Sequence, residues 1–128
     1  MKSRSAQITY QFKINNSRFL IIVALNGDRE IEYAKVTKKD VCWVIADLNV
    51  HNFDSSIVKQ RKISNGFFRN YQNQGIGTRL LNKVITEAKK NNAVSLSGEM
   101  EGKIKMLSKW YKGFGFVIYP DNKIILIL

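Results

Sequence analysis

A glycine pair at the mouth of a helix, Tyr71-Gln72-Asn73-Gln74-Gly75-Ile76-Gly77-Thr78, is the stretch of this chain best equipped for chemistry. Downstream, Ile76, Leu80, Leu81, Val84, Ile85 and Ala88 recur at helical spacing, with Lys83, Glu87, Lys89 and Lys90 on other faces. The start of a helix leaves backbone N–H groups without intrahelical partners and carries the positive end of the helix dipole. Glycine lets the backbone turn tightly and lets a phosphate approach without meeting a Cβ. The run therefore suits an anion such as a pyrophosphate, held by backbone amides from Asn73 to Thr78 with the Thr78 hydroxyl as a further donor. The plainer reading is a strand-to-helix connection that binds nothing. Two better-known phosphate loops do not fit: Gly77 is followed by Thr78-Arg79 rather than Lys-Ser/Thr, and the third small residue of a dinucleotide fingerprint is replaced by Leu80.

Other reactive residue types are scarce. Cys42 is the only cysteine and lies in the apolar run Val41-Cys42-Trp43-Val44, which predicts a buried small residue. With one cysteine and one histidine, His51, the chain cannot build a zinc site of the usual four protein ligands, so no metal is expected. At 128 residues, a single domain spanning 1–128 is expected. A hydrophobic share of 45% with 24% charged residues is that of a soluble globular protein. No segment approaches a membrane span, and Met1-Lys2-Ser3-Arg4-Ser5 has no apolar signal core, so a cytoplasmic protein without a membrane partner is expected. The net charge of +11 suits an acidic partner such as nucleic acid, ribonucleoprotein or coenzyme phosphates, or equally a generally basic, well-solvated surface. Its one local concentration is Lys59, Arg61, Lys62 and Arg69, where Asp54 is the only acid between Asn52 and Tyr71.

The elements that must position the glycine loop follow from periodicity. Gln7 to Ile14 alternates, with Ile8, Tyr10, Phe12 and Ile14 expected on one face. Arg18–Leu25, Arg29–Thr37 and Val41–Val50 read as three further strands, joined by Asn26-Gly27-Asp28 and by Lys38-Lys39-Asp40, an antiparallel meander. Residues 52–70 are polar and basic without clear period, apart from Gly66-Phe67-Phe68, and read as an insertion or mobile loop, with a short strand at Lys62 to Phe68 as the alternative. A helix from about Gly75 to Asn91 and a strand at Ala93–Leu96 then imply a parallel crossover. Gly98 to Gly102 reads as a loop. Ile104, Leu107, Trp110 and Tyr111 have helical spacing up to Gly113, and Phe116–Tyr119 and Lys123–Leu128 flank Pro120-Asp121-Asn122 as a final hairpin. The expected class is α+β: a mixed sheet with an antiparallel N-terminal meander, a central β-α-β crossover, a C-terminal hairpin and two main helices.

The fragment Gln72-x-x-Gly75-x-Gly77 resembles the acetyl-coenzyme A signature of the GNAT N-acetyltransferase superfamily, Arg/Gln-x-x-Gly-x-Gly/Ala. Tyr111-Lys112-Gly113-Phe114-Gly115-Phe116 resembles that family's second signature, Tyr-x-x-x-Gly-Phe, at the expected distance, and Leu48-Asn49-Val50-His51 resembles the end of its fourth strand. The likeness spans about Phe19 to Leu128. There are departures. Only Asn15-Asn16-Ser17 stands where the family has two helices between its first strands. The extra stretch of about Asn52 to Asn70 precedes the glycine loop, and an alternative alignment ends the fourth strand at Phe67-Phe68. Ile104 occupies the place of a coenzyme-contacting Asn.

The resemblance implies an N-acetyltransferase that uses acetyl-coenzyme A and a primary amine. Leu48, Asn49 and Val50 would offer backbone groups to the pantetheine arm, and Gln72, Asn73, Gln74, Gly75, Ile76, Gly77 and Thr78 would hold the pyrophosphate. Tyr111 would be the general acid, since a phenol stays protonated at neutral pH. Glu99, twelve residues before Tyr111, is the foremost candidate base, with Glu101, Asp47 or ordered water as alternatives. The missing helices leave an open acceptor face and favour a large amine substrate such as a protein lysine or N-terminus over a small molecule. Assembly stays open between monomer and dimer. The competing reading is a basic, catalytically degenerate module of this fold that contacts nucleic acid or ribonucleoprotein.

Overall fold

The computed structural model describes residues 8–48 and 75–128. Four strands come first: β1 (Ile8–Asn15), β2 (Phe19–Asn26), β3 (Arg29–Lys39) and β4 (Cys42–Leu48). Helix α1 (Ile76–Lys90), strand β5 (Ser95–Glu99), helix α2 (Ile104–Gly113) and strands β6 (Val117–Ile118) and β7 (Lys123–Ile127) complete the order. They form one sheet in the order β1-β2-β3-β4-β5-β7-β6. All neighbouring pairs are antiparallel except β4 and β5, which run parallel on either side of α1. The expected α+β architecture is the one observed.

Local chemistry explains the tight connections. The Asn16 side chain accepts from the backbone N–H groups of Arg18 and Phe19 at 2.9 and 2.8 Å, closing the first hairpin. Gly27 (φ 66°) lets the second reverse. Strand β3 runs on to Lys39, so the third turn falls at Asp40 and Val41 rather than at Lys38-Lys39-Asp40, with Asp40 in the left-handed region.

Buried residues of both helices and of one face of the sheet form a single core. Leu20, Ile22 and Ala24 of β2, Ala34 and Val36 of β3, and Leu96 and Ile124 meet Ile76, Leu80, Leu81, Val84 and Ala88 of α1, with Leu107 and Tyr111 of α2. The amphipathic stripe read from the sequence is thus the stripe that packs. Each fully buried Leu, Ile or Val contributes roughly 1.5–3 kcal/mol relative to exposure.

Three expectations are corrected. Ile14 does not share the face of Ile8, Tyr10 and Phe12, because the pairing with β2 shifts between Phe12 and Ile14 and turns the strand over. Cys42 is exposed, because it precedes the buried Trp43 and alternation sends its side chain the other way. The stretch Gly98–Gly102 is not a loop from its start: Gly98 and Glu99 stay in β5, opposite Ile124 and Lys123.

Candidate active site

The parallel ladder between β4 and β5 is short. It joins Cys42 to Ser95, Trp43 to Leu96 and Val44 to Ser97, and ends there. Beyond that point β4 stays with β3 as far as Leu48, while β5 stays with β7 as far as Glu99. The two inner strands therefore part, each held by its outer neighbour. Gly98 sits where they diverge: a Cβ on it would lie 3.3 Å from Ile45 Cβ. A glycine here answers to close approach and not to a turn, which is why its composition points to a loop when only the chain is read.

The opening is a cavity of about 410 Å³. Ala46, Asp47 and Leu48 form one wall; Glu99, Met100 and Glu101 form the other; Leu107 and Tyr111 of α2 close it from the helix side. The structure thus gathers Tyr111, Glu99 and Leu48 around one space, together with both alternative carboxylates, Asp47 and Glu101. Tyr111 is only 6% exposed and stands edge-on to Trp110 and Phe116, with ring centroids 4.9 and 5.2 Å away. Burial pushes its phenol up to about 12, because the charged form would lose hydration. The group keeps its proton at neutral pH and can only donate it.

Tyr33 is a cavity residue that sequence reasoning missed. Its hydroxyl donates to Asp47 Oδ2 at 2.6 Å, and this bond, ahead of burial and the Asp47 charge, raises its pKa. Asp47 pairs with Lys35, so Tyr33 lies two residues along on the same face. Glu32, Ala34 and Val36 are buried on the other face, toward the helices. Alternation along β3 was the available signal, but it required knowing which strand lies beside β3 and in what register.

At the start of α1, Gly75 is left-handed (φ 67°, ψ 34°), with nothing among the described residues within 4 Å of where a Cβ would stand. The first helical bond runs from Arg79 N–H to the Gly75 carbonyl at 2.9 Å, so the N–H groups of Ile76, Gly77 and Thr78 precede the ladder. No side chain caps this end among the described residues, and its first turn holds no acid. The Ile76 side chain is fully in the core, leaving only its backbone for a ligand. Thr78 Oγ1 accepts from Trp110 Nε1 at 3.1 Å, which ties the glycine turn to the helix that carries Tyr111. A left-handed glycine, with open space and uncapped amides among the described residues, fits a phosphate group. Asn49, Val50, Gln72, Asn73 and Gln74, with the basic loop of Lys59, Arg61, Lys62 and Arg69, lie outside the described residues.

A second missed residue is Glu32. It is 2% exposed, and neither carboxyl oxygen has a hydrogen-bond partner among the described residues. Burial pushes it up to about 8. In register, Glu32 lies across Ala24 from Tyr10. Tyr10 is raised by its own burial, pulled back by Arg79 and raised further by Glu32.

Parted parallel strands, a buried phenol between them and an uncapped glycine turn are the marks of an acyl-coenzyme A transferase. The family model described as Acetyltransferase (GNAT) family matches residues 2–116, and the chain belongs to that family. Solved structures agree in fold. A GNAT family acetyltransferase from Elizabethkingia anophelis with acetyl-CoA bound is 18% identical over 87% of this chain and 77% of its own, with a TM-score of 0.64. The ribosomal-protein-S18-alanine N-acetyltransferase from Escherichia coli is 18% identical over 87% of this chain and 68% of its own, at 0.61. The PaiA N-acetyltransferase from Thermoplasma acidophilum, in complex with coenzyme A, is 14% identical over 84% and 58%, at 0.60. No curated protein matches the chain significantly. Acetyl-coenzyme A is the cosubstrate of this family. Among the described residues, no helix is long and apolar enough to cross a membrane.

Proposed function

We propose that this chain is an N-acetyltransferase that moves the acetyl group of acetyl-coenzyme A to a primary amine. The observation that carries the reading is the parting of β4 and β5 beside the buried Tyr111. When bound, acetyl-coenzyme A supplies a thioester whose acyl carbon is open to attack by a neutral amine. Backbone N–H groups of Ile76, Gly77 and Thr78, with Gln72, Asn73, Gln74 and Gly75 before them, would hold its phosphates. The inner edge of β4 at Leu48, with Asn49 and Val50 next in sequence, would take the amide-bearing arm as an added strand takes its neighbour.

The proton inventory falls to residues on the cavity walls. Glu99 takes the proton that the ammonium must lose before its nitrogen can attack. Tyr111 gives its own proton to the departing sulfur. A C–N bond forms and a C–S bond breaks; the attacking nitrogen sheds a second proton as the adduct collapses, which restores the Tyr111 phenol through solvent, and the proton taken by Glu99 is the one released overall.

Tyr111→Phe tests the assignment, because it keeps the ring packing and removes the proton. We expect kcat to fall at least about 100-fold, while the acetyl-coenzyme A Kd measured by calorimetry stays within about twofold of the parent. Turnover at the parent rate would remove Tyr111 from the role. Absence of any acetyl-coenzyme A binding heat in the parent would end the whole reading.

A further inference from the structure

Among the described residues, Glu32 is the one acidic or basic side chain buried in the core, and the transfer reaction makes no use of it. Neither of its oxygens has a hydrogen-bond partner there. A carboxyl placed so carries a cost that an apolar side chain in the same space would not.

Contacts along α1 show which end of the helix Glu32 faces. In the last turn, Glu87 accepts from the Asn15 side chain at 3.2 Å, and Asn15 accepts from Lys38 at 2.7 Å. That turn therefore lies over the Asn15 end of β1 and the Lys38 end of β3. One turn back, the Lys83 ammonium stands 5.4 Å from the centre of the Tyr10 ring. A further turn back is Arg79, whose N–H makes the first helical bond. The Tyr10 phenol, raised chiefly by its own burial, feels both Arg79 and Glu32. Tyr10, Ala24 and Glu32 stand side by side across β1, β2 and β3. Glu32 thus lies on the helix face at the level of the first turn, the end that presents the amides of Ile76, Gly77 and Thr78.

We infer that Glu32 sets how coenzyme affinity depends on pH: protonated, it leaves the positive end of α1 to the phosphates, and ionised, it opposes them. The inference rests on the coenzyme site assigned above and adds a residue that acts on that site without touching the ligand.

Placement and burial work in the same direction. A negative charge at this end of a helix draws on the dipole that would hold a phosphate. Kept from water and salt, it is screened less than a surface charge and reaches further. Few groups face it. β1 contributes Tyr10, β2 only Ala24, and α1 the basic Arg79 and Lys83. Tyr33 and Asp47 belong to the other side of the sheet. Tyr111 of α2, at about 12, keeps its proton throughout. Burial pushes Glu32 up to about 8, a range in which the coenzyme phosphates are already charged. Bound phosphates raise it further, so near that value the loaded protein holds more protons than the free one. Binding then takes up protons, and affinity falls as pH rises.

The test measures the acetyl-coenzyme A Kd by calorimetry at about pH 6.5 and about pH 9 for the parent, Glu32→Gln and Glu32→Leu. Across this interval the parent should lose at least about threefold more affinity than either variant. At about pH 8, titrations in two buffers of different ionisation heat should show more proton uptake by the parent than by the variants. Melting temperatures at each pH show which proteins are folded, and Glu32→Leu carries the test where Glu32→Gln is not. A merely structural Glu32 would move Tm and leave the pH profile of the Kd as it is. Matching profiles, or equal proton uptake, with coenzyme bound would overturn this inference alone. Absence of coenzyme binding at every pH would overturn the acyl-transfer reading and this inference with it.

Discussion

Glu32 and Tyr33 are neighbours on β3, yet they serve two different worlds. On the helix side, the Glu32 carboxyl is buried against α1 with no donor among the described residues, and it is pushed toward its neutral form. On the other side, the Asp47 carboxyl receives a 2.6 Å hydrogen bond from Tyr33 and looks into the cavity. The contrast teaches what a carboxyl's surroundings decide. A donor and an open space orient it toward the cavity, whereas burial without a donor makes it a liability for stability.

The largest expected effect sharpens that contrast. Glu32 stands at about 8 in the folded chain against an ordinary value of 4.5, so between these the folded state binds more protons than the unfolded one. Stability is then unpenalised below about pH 4.5 and falls as pH rises, until the full cost is reached above about pH 8. That cost is at most on the order of 5 kcal/mol. Glu32→Leu should flatten this decline in urea melts taken between pH 5 and 9. A decline of the same slope in the variant would place the titrating group elsewhere.

Next in size is the glycine turn on the helix side. Gly75→Val forces a β-branched residue into the left-handed region, at a cost of about 1–2 kcal/mol, and sets a side chain over the uncapped amides. We expect acetyl-coenzyme A affinity to drop at least about tenfold, read by calorimetry, while the melting temperature falls by only a few degrees. An affinity equal to the parent's would remove the glycine turn from coenzyme binding.

The smallest effect concerns the tie between the turn and α2. Trp110→Phe removes the 3.1 Å bond to Thr78 while retaining an aromatic ring against Tyr111 and Phe114. A net loss of about 1 kcal/mol is expected, visible as a few-degree drop in Tm and a modest rise in the acetyl-coenzyme A Kd. An unchanged Kd would make this bond a matter of packing alone.

Much of this molecule is legible along the chain. Strand and helix periodicities place all nine elements of the described residues, with ends differing by a few residues, and two short signatures in the right order point to the family and to Tyr111. Where reading fails, long-range contacts are responsible. Gly98 looks like loop composition because its closeness to Ile45 cannot be seen along the chain. Ile14 changes face because one irregularity in the pairing inverts everything beyond it. Glu32 and Tyr33 draw no notice because a lone glutamate and a lone tyrosine in a strand carry no local signal of burial or partnership.

The chain by itself determined its periodic elements, the glycine turn and the spacing from that turn to Tyr111, since these depend on neighbours three or four residues apart. Tertiary structure alone decided which residues face the cleft. Tyr33, Asp47, Glu99 and Tyr111 meet there because β4 and β5 keep their outer partners and release each other, an outcome of register across strands distant in sequence.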